Sequence, residues 1–253
     1  MRHKAWSFLF LLIFCAACSQ NEATWHRIEQ NGVLRVGLDP TYPPFEIDEG
    51  DGLRGIDVDL ARALTADLGL VAEFHYFGYD GLYDALRTEK VDVLISALVI
   101  VPGQTKDFAY SDSYYNAGEI LVVRQNDNEI TQMADMNGRF LAVELGAQGH
   151  VEATIWARQI PDLTIQPYDT PDAALTAVLD GSAHAALVDS ISGRLFLRQH
   201  PSLKRLSEPV TVEPYALVVR RQDERLLEKL NASLGNLEET GQLNQIIITW
   251  LSP

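Results

Sequence analysis

From Val33 onward, short apolar runs rich in β-branched residues alternate with stretches whose apolar positions recur every three to four residues. The first pattern suits strands and the second suits one face of a helix. Their alternation is the signature of α/β units built on parallel sheet. The pattern predicts strands near Leu34–Leu38, Ala72–Phe77, Val91–Ser96, Phe140–Val143, Leu163–Gln166 and Ala185–Val188. Between them it predicts helices over Asp57–Leu68, Gly81–Thr88, His150–Arg158 and Pro171–Leu179, with Asp223–Glu239 and Gln242–Leu251 as closing helices. Asn137-Gly138 and Asp180-Gly181 are turn signals, and no low-complexity tract or long linker divides the chain.

A faint internal repeat organises these units. At an offset of 93 residues, Leu82, Leu86, Leu94 and Ser96 correspond to Leu175, Leu179, Leu187 and Asp189. Each set reads helix, short loop, buried strand, polar residue, so two similar lobes are expected. Ser96 and Asp189 would each end a parallel strand, and open α/β sheets bind ligands outside the carboxyl ends of their strands.

The chain's beginning breaks the pattern. Arg2, His3 and Lys4 precede an apolar run from Ala5 to Ala17, the layout of a secretory signal. The run is 13 residues long and the next, Val93–Val101, is nine, whereas a membrane-spanning helix needs about 20. Cys15-Ala16-Ala17-Cys18 resembles the lipobox of bacterial lipoproteins, with Cys15 where leucine is usual. That resemblance implies a signal peptide over 1–17, a diacylated Cys18, and a lipidated tether over 18–24 that anchors the protein to a membrane. Cleavage would leave one cysteine, at the terminus, and no disulfide in the folded body. It would also remove Arg2 and Lys4, leaving 236 residues with a net charge of −17. Such a charge argues against nucleic acid, whose binders need a basic face. With 47% hydrophobic residues the chain has material for full cores.

Candidate chemistry begins at Leu34–Phe45, LRVGLDPTYPPF, a strand that ends at Asp39 and opens into a turn stiffened by Pro40, Pro43 and Pro44. The turn presents Tyr42 and Phe45, the latter expected to be a core anchor. In the following Gly55-Ile56-Asp57-Val58-Asp59-Leu60, Asp57 and Asp59 open a helix and are expected to cap its free N–H groups.

These segments, with YDGLYDALRTEKVDVLIS, FAYSDSYYNAGEILVV, AALVDS, PYALVVRR and GQLNQIIITW, resemble in order the extracytoplasmic solute-binding proteins of ABC importers, amino-acid type, including lysine/arginine/ornithine and histidine binders. The resemblance spans about Trp25 to Trp250. It implies the two-lobe α/β fold of type II periplasmic binding proteins, a flytrap with two crossing hinge segments, here near Ile120–Asn126 and Val212–Val219. Lobe 1 would comprise 25–124 and 214–253, and lobe 2 would comprise 125–213. The implied function is capture of a small amino-acid-like or organic-cation ligand between the lobes by a monomer, for delivery to ABC importer permease subunits outside the cytoplasm, without cofactor or metal.

Carried over by position, Asp39 matches the contact for a basic side chain, Tyr42 and Tyr79 the aromatic walls, Ser96 a polar contact, and Asp189 the ammonium-binding carboxylate. The family's hydroxyl residues after its serine, and the arginine eight positions beyond it that grips the ligand's α-carboxylate, are here Ala97, Val99, Val101 and Gln104. The Gly-Thr-Thr-like loop that helps hold the same carboxylate reads Gly146-Ala147-Gln148-Gly149. Gln104 offers only a neutral amide where a guanidinium would fork a carboxylate. Hence Asp39, Asp189 and the two tyrosines are expected to receive an ammonium or guanidinium group. The competing expectations are that Lys106 or backbone N–H groups take over the carboxylate, or that the site has decayed.

No G-x-S-x-G, H-E-x-x-H, phosphate loop or Cys-x-x-Cys occurs in the body, which argues against common hydrolase, zinc and nucleotide chemistries. The alternatives on the same fold are an exported cyclohexadienyl-dehydratase-like enzyme and a ligand-sensing module.

Overall fold

A computed structural model describes residues 22–50, 52–100, 103 and 106–251. The signal segment, Cys18, Val101 and Gln104 lie outside them. In chain order the elements are a helix over 22–31 (α1), β1 Val33–Leu38, β2 Thr41–Tyr42, β3 Glu46–Ile47, α2 Ile56–Asp67, β4 Val71–Tyr76, α3 Leu82–Arg87, β5 Val93–Leu94, β6 Phe108–Asn116 and β7 Glu119–Arg124. There follow β8 Phe140–Glu144, α4 Gln148–Trp156, β9 Thr164–Tyr168, α5 Pro171–Asp180, β10 Ala185–Asp189, α6 Ser190–Leu197, β11 Leu203–Arg205, β12 Pro214–Arg220, α7 Glu224–Glu239 and α8 Gln242–Leu251. None of the described helices is long and apolar enough to cross a membrane.

The chain forms two compact units, one running to Tyr114 and resuming at Tyr215–Trp250, the other spanning Tyr115–Pro214. The first contains a five-stranded sheet in the order β4-β1-β5-β12-β6, with β4, β1 and β5 parallel and β12 antiparallel to β5. The second contains a sheet in the order β11-β7-β10-β8-β9, with β10, β8 and β9 parallel and β7 antiparallel to β10. Each is a mixed sheet whose parallel part comes from helix-linked strands, and β5 and β10 occupy corresponding places, as the repeat implies.

Three expectations need correction. The first lobe was expected to run to residue 124, but Glu119–Arg124 is a full strand of the second sheet, paired through Leu121↔Leu187, so the chain leaves the first unit earlier, within β6. The return, between Pro214 and Tyr215, falls inside the expected Val212–Val219. Residues 22–24, expected to belong to the tether, are already helical. Ile28 is fully buried and the Thr24 hydroxyl donates to Asp223 Oδ1 at 2.8 Å, so α1 is part of the folded body. The expected strand Val91–Ser96 narrows to Val93–Leu94, although its flanks stay tied to β1 through Asp92 N to Arg35 O and Ile95 N to Gly37 O.

Glycine at position 55 fixes how the β2–β3 hairpin meets the start of α2. Its φ is +134° and a Cβ there would lie 2.1 Å from the Phe45 carbonyl oxygen. Only glycine permits that approach. It lets the first turn of α2 bond to the hairpin, Ile56 N to Pro44 O at 3.0 Å and Asp57 N to Phe45 O at 3.1 Å. Asp57 is thereby carried inward, and neither it nor Asp59 caps the helix, whose N-cap is Gly55 with no side-chain bond. Asp59 instead accepts the Trp250 indole N–H at 2.8 Å, fastening α8 to α2.

Candidate functional site

In the first unit a cavity of about 390 Å³ is lined by Asp39, Thr41, Tyr42, Tyr79, Ser96, Ala97, Val99 and Tyr215. Six of the expected residues therefore meet around one space at the carboxyl ends of β1 and β5. The Asp39 carboxylate ties the walls together, accepting the Thr41 hydroxyl on Oδ1 at 2.7 Å and the Tyr79 N–H on Oδ2 at 2.8 Å. Each carboxylate oxygen can accept more than one hydrogen bond, so capacity for a ligand donor remains. Ser96 Oγ accepts the Asp39 N–H at 3.0 Å, and its hydroxyl is within hydrogen-bonding reach of the buried Glu46 carboxyl. Tyr42 and Tyr79 are substantially exposed, whereas Phe45 is fully buried, stacked on Tyr42 at 5.7 Å and edge-on to Tyr215 at 5.3 Å. Phe45 is thus the core anchor expected, and it backs the ring that faces the cavity. Among the described residues lining this space none is basic.

Beneath the floor lies a group of acids absent from the sequence-based site. Glu46, Asp57 and Tyr114 are almost fully buried, and Asp57 Oδ2 accepts the Ala97 N–H at 2.6 Å. Burial and then the Asp57 charge push the Glu46 carboxyl up to about 11, while burial raises Asp57 to about 6. The two carboxyls consequently hold one proton between them at neutral pH, with Glu46 the protonated member. Burial likewise pushes the Tyr114 hydroxyl well above the ordinary tyrosine range.

In the second unit Asp189 is the N-cap of α6, its Oδ1 accepting Ile191 N at 3.1 Å and Ser192 N at 2.9 Å. Oδ2 is not used by the cap. Ala147 is the N-cap residue of α4 and Gln148 its first residue, with no side-chain capping bond. Gln148 Nε2 donates to Glu152 Oε1 at 3.2 Å, so the side chain runs along its own helix. A separate cavity of about 370 Å³ in this unit, bordered by Leu121, Met133, Trp156 and Val210, contains none of the expected residues.

Lys106, the competing partner for a carboxylate, lines a different recess with Arg87, Phe108 and Arg221. That recess shares no residue with the cavity at Asp39. Among the described residues no group of three His, Cys, Asp or Glu side chains is placed to hold a metal ion.

Comparison with known proteins matches this architecture. A probable amino-acid ABC transporter-binding protein of Haemophilus influenzae is 29% identical over 227 residues, covering 88% of this chain and 86% of its own. An ancestral cationic amino acid solute-binding protein is 30% identical in its solved structure, with a TM-score of 0.67 over 90% of this chain and all of that one. An ancestral cyclohexadienyl dehydratase, 24% identical with a TM-score of 0.76 over 89% of this chain and 95% of that one, shares the fold. The two-lobe type II fold is therefore established. Residues 34–253 match the family profile across both units, and the chain belongs to the bacterial extracellular solute-binding proteins, family 3.

Proposed function

We propose that this chain is the solute-capturing subunit of an ABC importer, and that its ligand is a small organic cation or an amino-acid derivative whose carboxylate is absent or masked. The observation that carries the ligand class is the cavity at Asp39: one carboxylate, tyrosine faces, hydroxyls and no basic side chain among its described lining residues. A free α-carboxylate placed there would lack a cationic partner, which is costly away from water. A cation there gains Asp39 by charge and Tyr42 and Tyr79 by their ring faces. In this reading Asp189 is a further carboxylate for the ligand, and Ala147, Gln148, Val99 and Gln104, at the sequence positions of the family's carboxylate clamp, carry no positive charge. The similarity to a binder of cationic amino acids supports a positively charged ligand. We further propose a non-catalytic monomer, held outside the cytoplasm by lipid on Cys18 and serving ABC permease subunits.

A thermal-shift screen against amino acids, diamines, guanidino-amines and quaternary amines tests the ligand class. Saturation at 100 times the dissociation constant adds about 2.7 kcal/mol to stability. The expected hits are carboxylate-free cations; hits confined to free amino acids would overturn this reading.

A further inference from the structure

The second unit holds a buried carboxylate with an oxygen that no donor meets. Glu119, the first residue of β7, is 6% exposed, and its Oε2 has no hydrogen-bond partner. In the antiparallel pairing of β7 with β10, Glu119 lies directly opposite Asp189. Side chains so opposed share a face, with Cβ atoms about 4.5–5.5 Å apart, and like charges there repel. The charges acting most on Glu119 are all carboxylates: Asp189, then Glu213 ahead of β12, Glu152 on α4 and Glu144 at the end of β8. Burial first and Asp189 second push its carboxyl up to about 7. Gly149 in the first turn of α4 makes the room, since a Cβ there would sit 2.7 Å from Oε2. A chain that keeps two acids opposed, one of them enclosed and unpaired, gives up stability that a positive charge would restore.

We propose that Glu119 and Asp189 together form a paired-carboxylate subsite for a positively charged end of the ligand, with Glu119 as a specificity-determining residue. This rests on the cation reading above and sharpens it to ligands with more than one positive charge, a diamine or a guanidino-amine, one of whose charges this pair meets. Asp189 has one oxygen committed to the α6 cap and offers the other. Glu119 adds the second negative charge. A free amino acid would bring its own carboxylate, one carbon from its ammonium, into the field of both acids and be repelled.

The test is calorimetric titration of the mature wild type, Glu119→Gln and Glu119→Asp with cadaverine, agmatine, lysine and arginine. Glu119→Gln should weaken cadaverine and agmatine at least about tenfold, as loss of a nearby enclosed charge does. It should narrow the preference over lysine and arginine and raise the melting temperature of the ligand-free protein. Glu119→Asp, which keeps the charge, should retain most of the affinity. If wild type prefers cadaverine and agmatine and Glu119→Gln binds them equally well, the subsite is wrong and the cation reading stands. Equal losses in both variants, with lowered melting temperatures, would show a packing role and also overturn the subsite. Wild type that prefers lysine and arginine, or binds none of the four, overturns the cation reading and the subsite together.

Discussion

The buried carboxylate of Asp57 accepts the backbone N–H of Ala97 at 2.6 Å, joining the first turn of α2 to the loop that floors the cavity. Ala97 has φ +46°, a left-handed conformation that costs a residue with a Cβ about 1–2 kcal/mol. Such a conformation persists when its surroundings enforce it, and here Asp57 does so from below. Asp57→Ala should therefore destabilise the protein by about 1–3 kcal/mol in urea unfolding, by leaving a buried N–H without an acceptor. Ala97→Gly, which relieves the backbone, should be neutral or stabilising. A neutral Asp57→Ala would contradict this account of the loop.

The Glu46 and Asp57 pair makes stability depend on pH with a definite sign. Both pKa values are raised in the folded state, Glu46 from 4.5 to about 11 and Asp57 from 3.8 to about 6. Between those limits the folded protein binds more protons than the unfolded chain, so stability is greatest at the acidic end and falls as pH rises. Glu119, raised from 4.5 to about 7, adds to the fall below neutrality and little above it. The loss above pH 7 then belongs to Glu46 and is at most about 1.4 kcal/mol per pH unit. Urea unfolding at pH 7, 8 and 9 should show this slope in wild type and a flatter one in Glu46→Gln, whose amide needs no proton. Equal slopes would show that Glu46 is ionised in the folded protein.

The parallel-sheet units were legible in the sequence because their signals are local: alternation of strand and helix periods, and turn pairs such as Asp180-Gly181, where Gly181 adopts φ +88° at the end of α5. Strands β6, β7 and β12 were not separated from the crossings, because continuous polar-and-aromatic runs such as FAYSDSYYN carry no clear period. Asp39, Tyr42 and Tyr79 could be singled out from the stiff proline turn and the family resemblance. Glu46 and Asp57 could not, since acids in a hairpin and a first helical turn normally face water. Their burial follows from the contact that Gly55 permits between segments ten residues apart. Glu119 was hidden for a similar reason, its neighbour Asp189 being 70 positions away and brought opposite it only by strand register.

The proposed membrane attachment has a direct check. Native protein from the producing bacterium should begin at Cys18 and carry a diacylglyceryl mass by intact-mass analysis, and Cys18→Ser should release it from membranes. Unmodified protein recovered in the soluble fraction would contradict the anchor.

Whether the site receives a cation and lacks a partner for a carboxylate is decided by calorimetric titration of the wild type with matched pairs. Arginine against agmatine and lysine against cadaverine differ only by the α-carboxylate. The cavity at Asp39 predicts tighter binding of agmatine and cadaverine, and the role proposed for Asp189 predicts a loss of about 2–5 kcal/mol for Asp189→Asn. Clear preference for arginine and lysine would show that a group outside this cavity holds the carboxylate, and would contradict the cation reading.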